Sequence, residues 1–420
     1  MSNEIRIADL ANPVLNDLQK SALAYGETLT IDLSRETILK EAQEKTGLSD
    51  FGADDLLPRL DLLLHEWRSD QGLTGIGRLT LRNKLLQHAI NRLLIEDVLQ
   101  KHPEIYAIEI EKPIIVAGLP RSGTTHLLNL MAADERLRSL PLWESYEPLL
   151  IPSENLLPDG TDPRYKRCAD TWAMLQAMAP QLAAMHPMQP DHIHEELELM
   201  GPNFASYNYE WLAHSPGWRD HYYAHDQTPH YEYMKNVLKI LLWQQGGQGP
   251  QRWVLKCPQH LEQLTVLKKV FPDATVVITH RDPVAVIQST VTMLAYGQRM
   301  NRYKVETNAL IGYWSDRIEH LLRACVVDRN KLSAAQSIDV PFHEFMADDF
   351  AMVEKIYVKA GLEMTSKSKS QLQHYIEQHP RGKEGRVVYD LKGDFGVDPD
   401  ALRERFSFYF REFPVLAEIK

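Results

Sequence analysis

Hydrophobic spacing changes character near residue 105. Before it, apolar positions recur at helical intervals: Leu56, Leu60, Leu63, Leu64 and Trp67 make one such set, and Leu81, Leu85, Ala89 and Leu93 another. No strand signal interrupts them, so residues 1–105 are predicted to form a helical N-terminal segment. After it come short, β-branched apolar runs, PIIVA (113–117), RWVLK (252–256), ATVVIT (274–279) and SIDV (337–340), separated by helix-length stretches. Such alternation predicts an α/β fold, a parallel sheet flanked by helices, within one unit spanning 106–420.

Between the first two runs lies an insertion, about 141–250, rich in Trp, Tyr, His, Met and Pro. Its composition makes it the place to expect an acceptor pocket. Met174, Met178, Leu182 and Met185 fall at helical spacing within it and read as one packed face. The stretch HPRGKEGRVVYD reads as a loop, and the tail from Asp398, DPDALRERFSFYFREF, as a capped terminal helix.

Composition narrows the function classes. With 57 acidic against 46 basic residues the formal charge is -11, which argues against a broad nucleic-acid surface, so any anion site must be local. The three cysteines, Cys168, Cys257 and Cys325, are widely spaced, odd in number and show no ligand pairing, so neither a disulfide framework nor a metal site is expected. No run approaches the roughly 18 apolar residues of a membrane span, and the N-terminus has no apolar leader. A cytoplasmic protein without a transmembrane segment is the expectation.

The chemistry concentrates in GLPRSGTTHLL (118–128), directly after the first strand run. Gly118 and Gly123 keep the frame of the G-x-x-x-x-G-K-[ST] phosphate-binding loop, whose backbone N–H groups and helix N-terminus cradle an anion. Position 124 is Thr rather than Lys; Thr125 keeps the hydroxyl, and the cation has moved to Arg121. The fold class is thus P-loop NTPase-like, but nucleoside triphosphate chemistry is poorly served. Where a magnesium-binding Asp should end the next strand, ATVVIT runs into His280-Arg281-Asp282-Pro283. Arg281 offers a permanently charged fork for a second phosphate, with Ser289 on the helix that should follow. Two phosphate sites and no evident metal ligands suggest a nucleotide with phosphates at both ends.

At this point the chain resembles the PAPS-dependent sulfotransferases, in the branch sharing PRSGTT with tyrosylprotein sulfotransferases and many bacterial small-molecule sulfotransferases. GLPRSGTTHL, LKCPQH (255–260), FPDATVVITHRDPVAVIQS (271–289) and GRVVYDLKGDFGVDPDALRERF recur in family order. The resemblance implies that PAPS is the donor and PAP the product, and that a small hydroxyl-bearing acceptor takes the sulfuryl group. It further implies that Arg121, Ser122, Gly123, Thr124 and Thr125 hold the 5′-phosphosulfate and that Arg281 and Ser289 hold the 3′-phosphate. Arg121, which cannot give up its proton, would act as a charge stabiliser. Arg381 and Lys383 resemble the basic loop that closes over the 3′-phosphate.

Sulfuryl transfer depends on alignment and on stabilising charge at the leaving oxygen. Lys256, at the end of WVL where ligands of open α/β sheets bind, is assigned to that oxygen. The acceptor hydroxyl needs a general base. Glu144, in LPLWES, and His260, in LKCPQH, are both candidates. HIHEELELM (192–200) lacks the H-E-x-x-H spacing of a zinc site, and HRD with DFG lacks the Asn and Gly-rich loop of a kinase. The expected activity is transfer from PAPS to an alcohol or phenol of apolar or lipid-like character. The alternatives are a Mg-dependent P-loop phosphotransferase and an inactive nucleotide-binding scaffold.

Overall fold

A computed structural model describes residues 4–419. Four helices lead the chain: α1 (Asp17–Glu27), α2 (Arg35–Thr46), α3 (Leu57–Ser69) and α4 (Gly75–Lys101). Leu60, Leu63 and Trp67 of α3 and Leu85, Ala89 and Leu93 of α4 share one buried cluster with Ile38 and Ala42 of α2, which packs on α4. A short strand that the pattern does not announce, β1 (Glu4–Arg6), precedes α1 and pairs in parallel with Arg386–Val388 near the other end of the chain. Three-residue strands carry too few alternating positions to register as a pattern.

The central sheet has five parallel strands: β2 (Ile114–Gly118), β3 (Leu137–Arg138), β4 (Arg252–Lys256), β5 (Thr275–His280) and β6 (Ser337–Pro341), in the order β3-β4-β2-β5-β6. The α/β sheet expected from the four apolar runs is present, with β3 as a two-residue edge that the runs do not reveal. Ile115, Ala117, Leu255, Val276 and Ile278 enter the core on one face, while Ile114, Val116, Val254, Val277 and Val340 enter a second core on the other. Burial on both faces is why these strands read as continuous apolar runs rather than alternating ones.

From β2 the chain goes through α5 (Thr124–Ala132) to one edge of the sheet, whereas from β5 it goes toward the opposite edge. The carboxyl ends of β2 and β5 are therefore a topological switch point, where open α/β sheets bind ligands. The insertion forms seven short and medium helices between Leu142 and Gln244. Its Met row does not form one face. The helix Pro163–Met178 stops, Leu182–Met185 is a separate turn, Met174 is exposed and only Met185 is buried. Spacing across a helix break has no structural meaning, and Ala179-Pro180 supplies the break. The terminal helix is likewise split at Phe406 into Pro399–Arg405, capped by Asp398, and Ser407–Glu412. Among the described residues no helix is long and apolar enough to cross a membrane.

Candidate active site

The loop between β2 and α5 is shaped by two glycines and a serine. A Cβ on Gly118 would lie 1.9 Å from Thr279 Oγ1 on neighbouring β5, and Gly123 has φ +82° at the helix start, a conformation that favours glycine. Ser122 is buried and hydrogen-bonds Leu119 O and Thr279 Oγ1, the latter at 2.9 Å, tying the loop to the switch point. Backbone N–H groups at the start of α5 are left free for an anion.

A cavity of about 1070 Å³ opens over this loop. Arg121, Gly123, Thr124, Thr125, Lys256 and Arg281 line it, and Arg381 and Lys383 border it from the Pro380–Gly385 stretch, which the structure brings across the chain to the loop. Ser122 and Ser289 lie behind its wall. Ser289, on the helix Pro283–Asn301, accepts from Arg121 Nε at 2.9 Å and donates to Tyr389 OH at 3.0 Å. Asp282 caps that helix through Val284 N at 2.9 Å and accepts Glu418 N at 2.8 Å; it is fully buried. The guanidinium of Arg281 stacks 4.0 Å from the Phe342 ring and grips the Glu418 carboxylate with two bonds of 2.8 and 2.7 Å. A planar anion thus already sits in a bidentate fork beside the loop.

Lys256 ends β4 only 1 % exposed. An unpaired ammonium there would be prohibitively costly, and its partners are Thr125 Oγ1 at 3.2 Å and the carboxylate of Glu195. Burial raises the Glu195 carboxyl above its ordinary range, and the attraction of Lys256 cancels only part of that. The adjacent Glu196 turns inward: it accepts Lys256 N at 2.8 Å and bonds His260, whose other ring nitrogen meets Tyr231 OH at 2.9 Å. This buried chain locks the end of β4 to the segment that carries Glu195.

The structure does not bring Glu144 or His260 to the cavity. Glu144 pairs with Arg138 of β3 at 2.6 Å, and the Arg138 guanidinium lies 4.9 Å from the Trp253 ring. His260 is 0 % exposed between Glu196 and Tyr231.

HIHEELELM, whose histidines read from sequence as acceptor contacts or packing residues rather than metal ligands, supplies the cavity wall. His192, His194, Glu195 and Glu198 all line it, together with Lys84 from α4. Burial depresses His194 to about 3 and His192 to about 4, so both stay neutral near pH 7. Burial alone would raise Glu198, but Lys84 at 3.3 Å and His88 outweigh it and hold the carboxyl at about 2. Adjacent acids in a proline- and histidine-rich stretch carry no spacing signal, and only the packing of the insertion onto β4 reveals which of them meets Lys256.

Comparison with known proteins follows this geometry. The sulfotransferase family model matches residues 113–366, which hold every strand of the central sheet and the loop. The structure is similar to that of sulfotransferase STF1 from Mycobacterium tuberculosis H37Rv, at 28% identity and a TM-score of 0.77, over 90% of this chain and 100% of that one. It also resembles sulfotransferase STF9 from Mycobacterium avium, at 23% identity and a TM-score of 0.81, over 93% of this chain and 100% of that one, a likeness of fold. No curated protein sequence matches the chain.

Proposed function

The chain belongs to the sulfotransferase family, and from that premise we propose that it moves a sulfuryl group from PAPS to the hydroxyl of a small apolar or lipid-like acceptor, releasing PAP. The observation that carries the reading is the buried Lys256 ammonium, held by Thr125 and Glu195 beside an anion-cradling loop. PAPS, when bound, supplies an activated sulfuryl group on a phosphate leaving group. The loop amides, Arg121, Thr124 and Thr125 would hold its 5′ end, and Arg281, Ser289, Arg381 and Lys383 its 3′-phosphate. The residues fit that role: the Arg281 fork already accepts a bidentate carboxylate.

Lys256 neutralises charge on the leaving oxygen, and Arg121 spreads charge on the equatorial oxygens. Glu195 takes the acceptor proton, because it lines the cavity beside Lys256 and its raised proton affinity suits a base working near neutral pH. In this reading Glu144 braces Arg138 at the sheet edge, and His260 positions Glu196 and the end of β4. The three unpaired cysteines, all buried, suit a reducing, cytoplasmic setting. Against the phosphotransferase alternative stands Asp282, the carboxylate that follows β5 where a magnesium ligand is expected, which is fully buried with both oxygens bonded to backbone N–H groups. Against a scaffold stands the electrostatic cost of burying Lys256 and Glu195 with no chemistry to serve.

Calorimetric titration with PAP, and separately with ATP and Mg²⁺, tests the donor site. Metal-independent PAP binding that weakens in Arg281→Ala is expected. Binding of ATP with Mg²⁺ alone would transfer the assignment to the phosphotransferase.

A further inference from the structure

A second, smaller cavity of about 110 Å³ lies beyond the far wall of the cleft, and the two share Trp211, Leu212 and Met293. Leu73, Leu81, Leu294 and Gly297 line it, with the polar Thr80, Gln298 and Asn301. For scale, an apolar cavity of about 150 Å³ stays dry and takes up a benzene ring. The helix Pro283–Asn301 runs past both sites. Ser289, Met293 and Gly297 follow one another at four-residue steps on one face, each step rising ~6 Å. The chamber therefore begins ~6 Å along that helix from Ser289, whose hydroxyl holds Arg121, and reaches Gly297 at ~12 Å.

Gly297 is a second, independent sign. Glycine is the poorest helix former after proline, and at Gly26, Gly75 and Gly77 a close backbone approach explains its use. Here no atom lies within 4 Å of where its Cβ would stand. The helix thus omits a side chain at a position that lines the chamber. The floor is fixed rather than collapsible: Thr74 Oγ1 donates to Met300 O at 2.7 Å, Thr74 N to Asn301 O at 3.0 Å and Tyr303 N to Gly72 O at 3.0 Å. The chamber is thus preformed, as small-molecule sites generally are.

We infer that the acceptor is an amphipathic alcohol whose apolar chain passes between Trp211, Leu212 and Met293 and ends in the chamber at Leu73, Leu81, Leu294 and Gly297. This rests on the sulfuryl-transfer reading of the cleft. The neck offers no charged group, so the hydroxyls of a sugar would be stranded against Trp211 and Met293. A chain formally charged at -11 also repels a polyanionic acceptor. A compact phenol would leave the chamber unused.

The test measures PAPS-dependent sulfation of butanol, octanol and decanol by the full chain and by Gly297→Leu, with PAP affinity measured on both. In the unaltered protein kcat/KM should climb at least about tenfold from butanol to decanol, since each added methylene in an apolar pocket raises discrimination. Gly297→Leu should cut the decanol-to-butanol ratio by about tenfold while PAP binds as before. A flat chain-length profile, or a ratio unchanged in Gly297→Leu, overturns the inference and leaves the donor reading standing. If no alcohol is turned over, calorimetry of decanol into PAP-loaded protein decides: saturable binding lost in Gly297→Leu supports the chamber, and its absence refutes it. Failure to bind PAP would remove the donor reading, and the inference with it.

Discussion

Glu195 sits under two opposing influences. Burial raises its proton affinity, Lys256 lowers it, and burial wins, so its carboxyl titrates above the usual value of about 4.3. If Glu195 is the base, activity is lost as pH falls through that raised value and recovers as pH rises above it. The kcat/KM profile should show this acidic limb, and Glu195→Gln should abolish the limb and slow turnover by about 10²- to 10⁴-fold with PAP affinity retained. A limb that survives in the Gln variant would exclude Glu195. Glu418 invites a second substitution. Its carboxylate occupies the Arg281 fork, and in the proposed reading a 3′-phosphate would displace it. Glu418→Gln removes one charge-assisted pair at a partly exposed site, and PAP should bind roughly three- to tenfold tighter. Unchanged or weaker binding in calorimetry would show that the tail and the nucleotide do not compete.

Elements differ in how far local sequence accounts for them. The strand, loop and helix from Ile114 to Ala132 are legible because glycines, a Thr pair and a β-branched run specify them locally. The insertion is not, because most of its helices are short and are fastened by contacts from distant parts of the chain. Arg317, on the helix Thr307–Asp328, is the clearest fastener. Fully buried, it bonds Glu210 in the insertion at 2.8 Å and Glu262 after β4 at 2.7 Å, and Tyr313 adds a bond of 2.6 Å to Glu210. Arg317→Ala strands two carboxylates in the core and should cost about 3–5 kcal/mol, read as a lower midpoint in chemical denaturation. A loss below about 1 kcal/mol would mean that water reaches the pair and the insertion is held by other contacts.

Over the whole molecule, buried neutral histidines dominate the response to acid. His192 and His230 are held to about 4 and His194 to about 3, by burial first, and His186 is also depressed. Their unfolded values lie near 6.5, so between about pH 4 and 6.5 the unfolded chain binds more protons. Stability present above about pH 6.5 is therefore lost as pH falls. Glu96, Glu195 and Glu210, with raised carboxyls, act in the opposite sense, but they are three groups against ten depressed histidines. Thermal midpoints measured from pH 8 to pH 5 should fall steadily below about 6.5; a flat curve would show that these side chains are solvated.

By itself the sequence determined the parallel sheet, the anion-cradling loop, the two arginines beside it and the lysine at the end of β4, all of which follow from short-range periodicity and motif spacing. Tertiary structure alone decided which carboxylate faces Lys256. Glu144 lies near the loop in sequence yet is bound to Arg138, while Glu195, sixty-one residues before Lys256, is carried to it by the insertion. The same holds for Arg281 and Glu418, joined across 137 positions, and for Trp211 and Met293, which the two cavities share. A local pattern records which face of an element is apolar; it does not record which other element that face will meet.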